Sequence, residues 1–170
     1  MEKTALKIRV LGDPVLRKRS VLVKQIMPWH KEFFSRMAQM MYEGQGIGLA
    51  APQAGVNEAM IVVDIGNGLY KLVNPKIVWS SGYQVNQEGC LSVPGVCINV
   101  KRAQKIRLKA MDEEGKPVDI EAQGLLACVF QHEIDHLKGR LIVDYASFLE
   151  RLKIKKVFKK LKGNTCNINL

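Results

Sequence analysis

Residues 131–139 read QHEIDHLKG and place two of the chain's three histidines, His132 and His136, four positions apart with Glu133 directly after the first. No other stretch constrains the fold as tightly. On a helix, residues four apart lie one turn apart on the same face, so both imidazoles can be directed at one ion. Glu133 is rotated by about 100° from His132. From there it does not ligate easily, but it can reach a water held by the ion. The surrounding pattern supports the helix: from Gln123 to about Lys138 apolar residues recur at helical spacing, and Leu125, Leu126, Val129, Phe130 and Leu137 are its expected buried positions.

A catalytic metal site commonly has three protein ligands and one open position. The longer pattern His-Glu-x-x-His-x-x-Gly-x-x-His matches at Gly139 and fails at Ile142. Asp144 and Glu150, the only acids after His136, are too near in sequence to act as a ligand from a following helix. The third ligand therefore lies elsewhere. His30, in PWHKEF at the start of a predicted amphipathic helix, reads as an exposed or capping residue. Cys90 is better placed: in NQEGCLSVPG a glycine precedes it and a proline and glycine follow, so its backbone can enter a tight site, and a metal lowers the pKa of the thiol that binds it. Cys97 and Cys128 read as buried and inert, and Cys166 as an exposed thiol of the polar tail.

The remaining sequence reads as one domain spanning residues 1–170, with a basic C-terminal helix and tail at about 147–170. A content of 47% hydrophobic and 25% charged residues is that of a globular chain. No apolar run approaches the roughly 18 residues needed to span a bilayer. The start, MEKTALKIRVLGD, has no basic segment followed by an apolar block, so a cytoplasmic protein without membrane association is expected. A helix is predicted from Pro28 to about Glu43, with Phe33, Phe34, Met37 and Met41 facing the core. Strands are predicted at 59–65, 69–79, 105–112 and 118–122, the last two joined by the turn DEEGKP. The resulting fold class is α+β: mainly antiparallel strands packed around the central helix that carries His-Glu-x-x-His, followed by a C-terminal helix from about Ser147 to Lys162. A net charge of +10, with seven basic residues and no acid between Arg151 and Lys162, points to an anionic partner such as nucleic acid.

Four segments, VLGDPVLR at 10–17, GIGLAAPQ at 46–53, EGCLS at 88–92 and QHEIDHLKG at 131–139, together resemble the peptide deformylase family, and the resemblance extends over about residues 6–150. It implies a metal-dependent hydrolase that removes the formyl group from the N-terminal methionine of newly made proteins. It implies Cys90, His132 and His136 as ligands of one divalent ion, commonly ferrous iron with zinc, nickel or cobalt substituting. Glu133 would be the acid and base, and the Leu91 backbone N–H and the Gln53 side-chain amide would be donors to the developing oxyanion. By the same resemblance Ile47, Gly48 and Gly89 pair with the main chain of the N-formylmethionyl nascent peptide. Cys128 and Val129, about a turn before the histidines, read equally as lining of a methionine pocket or as ordinary helix core. The resemblance also implies docking on the ribosome, which some family members achieve through a C-terminal helix and which would use the basic tail here. A monomer is the expected state.

One departure stands out: many family members carry an arginine a few residues after EGCLS, where this chain has Cys97, while Arg102 in VKRA fits a family-like position. Two rival functions remain at this stage. An endoprotease would share the His-Glu-x-x-His segment but lacks its downstream ligand here. A non-catalytic RNA-binding protein would account for the charge but not for a glutamate beside paired metal ligands.

Overall fold

The computed structural model describes residues 7–152 and residue 154. Among the described residues up to Tyr145 the fold is built from two α-helices, α1 (Pro28–Glu43) and α2 (Gly124–Leu137), and seven strands. The strands are β1 (Gly48–Ala50), β2 (Met60–Val63), β3 (Tyr70–Ser81), β4 (Gln84–Gly89), β5 (Cys97–Arg102), β6 (Lys105–Met111) and β7 (Pro117–Gln123). Five of them form an antiparallel sheet in the order β1-β2-β3-β6-β7, and β4 and β5 pair as a separate antiparallel ribbon. The expected α+β architecture is observed.

Strand alternation explains how one sheet serves two helices. On β2, Ile61 and Val63 face one side and Met60 and Val62 the other, and all four are buried. Ile61 and Val63 join Leu72, Ile106, Leu108 and Ala122 against Ala127, Phe130, Ile134 and Leu137 of α2. Met60 and Val62 join Leu49 and Val73 against Phe33, Phe34, Met37 and Met41 of α1. The methionine stripe read from the sequence is therefore core.

Helix α2 is buried on nearly every side. Ala127, Phe130, Ile134 and Leu137 form the stripe on the sheet, while Cys128, His132, Asp135 and His136 lie on the roughly opposite face. That second face meets the β4–β5 ribbon, whose Glu88 and Arg102 bond His132 and Asp135. Gly124 makes this placement possible: β7 ends at Gln123 and the helix starts one residue later, a turn taken at φ 60°, where a side chain is strained. Leu125 departs from expectation. It is 53% exposed and lines a cavity instead of the core.

Two further expectations are corrected. His30 is buried and not exposed: its Nδ1 accepts from the Met27 backbone N–H at 2.7 Å, so its Nε2 carries the proton and donates to Glu58 at 3.0 Å. It caps α1 as anticipated and takes no part in the metal cluster described below. Cys97 is exposed, since it opens β5 on the outward register while Ile98 and Val100 point inward. After β7 and α2, a further helical stretch begins at Phe148, where Ser147 and Glu150 bond each other's backbone N–H in a capping box. Most of the predicted C-terminal helix lies outside the described residues.

Candidate metal centre

Cys90 follows the last residue of β4, and His132 and His136 stand one turn apart on α2. Their ligand atoms converge: Cys90 Sγ and His136 Nε2 are 3.2 Å apart, His136 Nε2 and His132 Nε2 are 3.2 Å apart, and the three groups lie within 4.8 Å of one another. Donors held by one tetrahedral ion at their usual bond lengths sit about 3.3–3.7 Å from each other, so this spacing fits a single cation. The donor set, one thiolate and two imidazoles, suits a borderline or soft divalent metal.

The hydrogen bonds behind the ligands set their orientation. Glu88 Oε2 lies 2.8 Å from His132 Nδ1 and accepts its proton, leaving the Nε2 lone pair directed at the cluster. Glu88 is held in turn by Arg102 through two bonds of 2.7 and 2.9 Å, and the Cys128 thiol donates to it at 3.2 Å. Arg102 also donates to Asp135 at 2.5 Å, and the Tyr145 hydroxyl donates to the same carboxylate oxygen at 2.6 Å. All of Glu88, Arg102 and Asp135 are buried. A buried charge network of this kind survives only when each member is bonded, and here each is.

Electrostatics follow the geometry. Burial pushes the Glu88 carboxyl up, but Arg102 and His132 outweigh it and hold the group at about 2. Burial pulls the His132 imidazole down, yet Cys90, Glu88 and Glu133 raise it to about 10. His136 is driven well below its usual value by burial and by its neighbour His132. The groups that favour a positive charge on His132 equally favour a metal cation among the three donors.

Glu133 occupies the next position around α2 and is 3% exposed. Burial is the main force raising its carboxyl, to about 7. Its Oε2 is enclosed and has no hydrogen-bond partner among the described residues. A carboxylate near neutral pKa with a free oxygen is suited to exchanging a proton with a reacting molecule. Gly48 of β1 packs directly on it: a Cβ there would overlap Glu133 Oε1 and lie 2.9 Å from Val129 Cγ1.

These groups border a cavity of about 580 Å³. Gln53 and Leu91 line it, as do Ile47, Gly48, Gly89, Cys128 and Val129, so all the residues anticipated as substrate contacts share one cavity. Gln53 is fixed at its edge: its Oε1 accepts from the Ala50 N–H at 2.8 Å, and its Nε2 donates to Ser92 Oγ at 3.2 Å and to Cys90 Sγ at 3.5 Å. Cys128 is buried, with burial and Glu88 pushing its thiol up to about 12. A thiol so placed stays protonated at neutral pH, and its place in the cavity wall is compatible with both readings of the sequence, pocket lining and helix core. The sequence reading passed over Asp135 and Tyr145, and it gave Glu88 no role. Asp135 lay inside the QHEIDHLKG segment itself, three residues after His132.

The polypeptide deformylase family model matches residues 5–152. A peptide deformylase of Pelotomaculum thermopropionicum is 44% identical over 146 residues, covering 86% of this chain and 94% of the relative. One of Thermoanaerobacter pseudethanolicus is 48% identical over 139 residues, covering 82% and 87%. The crystal structure of a peptide deformylase from Legionella pneumophila superposes with a TM-score of 0.87 at 42% identity, covering 94% of this chain and 98% of that one. A thiolate and two imidazoles around one point, a buried carboxylate beside them and similarity along nearly the whole described chain agree: the chain belongs to the polypeptide deformylase family.

Proposed function

We propose that Cys90, His132 and His136 hold one divalent ion and that Glu133 moves the proton when this chain, a metal-dependent hydrolase, removes the formyl group from the N-terminal formylmethionine of newly synthesised proteins. The observation that carries the assignment is the convergence of the three donors beside a buried carboxylate with a free oxygen. When bound, such an ion acidifies a coordinated water and polarises a carbonyl. The chain's own groups do the rest. Glu133 takes a proton from the water and returns it to the departing amine, so that formate and a free N-terminal methionine leave. The Leu91 N–H and the Gln53 amide donate to the oxygen that gains charge. Gln53 Nε2 faces Cys90 Sγ at 3.5 Å, which sets the amide beside the ligand cluster where that oxygen would lie. Ile47 just before β1, Gly48 on β1 and Gly89 at the end of β4 border the cavity and pair with peptide main chain, which suits an enzyme that accepts many sequences. Cys128 and Val129 give the methionine side chain an apolar wall.

Ferrous iron is the proposed native ion. Zinc, nickel and cobalt suit the same donors, and metal analysis of protein purified without air, with activity per ion bound, decides among them. Turnover of a formyl-Met peptide, with none of an unformylated peptide or an internal bond, is the expected result. Cleavage of the internal bond would make the chain an endoprotease.

The proposed setting is the cytoplasm, as a monomer that meets its substrate at the ribosome through the basic segment Arg151–Lys162. Support comes from the charge and from the Ser147–Glu150 cap that starts a helix there. Cutting after Glu150 should weaken ribosome binding and its salt dependence, because phosphate contacts release counterions. Unchanged affinity in a folded, truncated protein would remove the ribosome from this reading.

A further inference from the structure

A second cavity lies on the opposite side of α2 from the metal centre. β2 pairs with β3 only across Met60–Val63 and Tyr70–Val73, whereas β6 follows β3 from Val73 to Ser81. Beyond Val73, therefore, β3 has a strand neighbour on one edge alone among the described residues. The divergence is fixed at Asn74, which sits at φ 54°, donates its backbone N–H to Ala59 O at 2.7 Å and clasps the Val23 backbone through both side-chain atoms, at 2.9 and 2.8 Å. The departing chain leaves a gap of about 510 Å³.

Its floor is aliphatic: Ala59 and Ile77, with Ile134 and Leu137 from the back of α2, while Leu22, 66% exposed, stands at the edge. Its rim is cationic. Arg19, Lys76 and Lys138 are exposed and form no ion pair among the described residues. Ser20 also lines the gap, with a buried hydroxyl that has no partner among those residues. Further along the same strand Val78 and Trp79 are 45% and 53% exposed, an apolar stretch on an edge that folded proteins usually cover or guard with charge.

We propose that this gap is a docking site for an extended acidic peptide segment of a partner protein, which adds to the free edge of β3 as a short strand. Strand addition supplies backbone bonds to the edge, and side-chain alternation sends every second residue toward the aliphatic floor. Acids flanking that residue meet Arg19, Lys76 and Lys138. The register shift between Ile77 and Trp79 keeps the added ladder short. Charge complementarity selects the occupant. The chain's own C-terminal segment, with seven basic residues from Arg151 to Lys162, is repelled by the same rim. Single-stranded nucleic acid wants aromatic platforms within its groove, and the gap is floored by aliphatic side chains.

The probe is a fluorescein-labelled, end-capped peptide, Asp-Glu-Val-Leu-Val-Glu-Asp, followed by fluorescence anisotropy with the full chain at low salt. Saturable binding is expected, weakened about tenfold or more by the double change Arg19→Glu and Lys76→Glu. Both sites are exposed, so melting temperature and deformylation of a short formyl-Met peptide should stay unchanged. N-methylation of alternate peptide amides distinguishes strand pairing from charge attraction: methylating one set should abolish binding and methylating the other should leave it. Absence of binding, equal binding of a Lys-flanked peptide, indifference to both methylation patterns, or tighter binding of an oligouridylate at the same residues would each overturn the proposal.

Discussion

Glu88 Oε2 and His132 Nδ1 are 2.8 Å apart, and because a carboxylate can only accept, a proton sits on Nδ1 and Nε2 is the nitrogen left to face Cys90 and His136 and to ligate an ion. One contact thus couples the ribbon to the ligand helix and fixes the imidazole tautomer. Replacing Glu88 with Gln keeps the shape but removes the charge that faces Arg102. Metal retention, read by competition with a chelator, should fall by about tenfold to a hundredfold. Unaltered retention would detach the Glu88 contact from the metal site.

The same carboxylate predicts how stability depends on pH. Its folded value, about 2, lies below the ordinary 4.5. A group depressed on folding contributes stability that is fully present above its unfolded pKa and is lost as pH falls through the folded one. The contribution should therefore be intact at neutral pH and vanish between about pH 4.5 and 2. Urea denaturation of the wild type and Glu88→Gln at pH 7 and pH 3 checks this: the difference between them should narrow at the lower pH. A constant difference would assign the loss to something other than the Glu88 charge.

Gly48→Ala tests the close packing of β1 on Glu133, the proposed proton carrier. The added Cβ overlaps Glu133 Oε1 and leaves only 2.9 Å to Val129 Cγ1, so Glu133 has to turn away. Turnover should drop by roughly a hundredfold, since misplacing a reacting group by about 1 Å costs that much. Metal content should not change, because none of the three ligands is touched. Full activity in Gly48→Ala would mean that Glu133 does not work from this position.

Glu133→Gln keeps size and hydrogen bonding while removing the base. Metal should stay bound and kcat should fall by about a hundredfold or more. Cys90→Ala should do the reverse and lose the metal. A Cys90→Ala protein with full metal occupancy would break the proposed ligand set.

Long periodic segments were the legible part of this fold. Helix α1 occupies the predicted Pro28–Glu43, and the central helix and the strands through Met60, Tyr70, Lys105 and Pro117 fall within a few residues of expectation. The β4–β5 ribbon was not read as strands. β4, Gln84–Gly89, is almost wholly polar because one side faces solvent and the other carries Glu88 to the ligand helix. β5 did alternate, with Ile98, Val100 and Arg102 inward, but a charged residue in the third inward place obscured the pattern. Arg102 is inward because Glu88 and Asp135 await it, a reason no local period contains. The three residues that converge as possible metal donors were legible from spacing and short motifs. Their supporting shell was not, since Tyr145, Asp135 and Arg102 meet only through tertiary contacts.

Gln53 carries two roles that a single substitution has to separate. Its Oε1 satisfies the buried Ala50 N–H at 2.8 Å, which holds the start of the Ala51–Ala54 turn, while its Nε2 faces Ser92 and Cys90 at the cavity. Gln53→Ala removes both. Orphaning the Ala50 donor costs about 1–3 kcal/mol and should lower the melting temperature. If the amide also stabilises the developing oxyanion, kcat should fall by about a hundredfold, with KM changing far less. Gln53→Glu divides the roles: a carboxylate still accepts from Ala50 but donates nothing and sets a negative charge beside the Cys90 sulfur. That variant should recover only the part of the melting temperature due to the Ala50 bond, offset by the cost of a buried charge, and none of the rate. Recovery of rate together with stability would show that Gln53 only holds the turn and that the oxyanion finds its donors elsewhere.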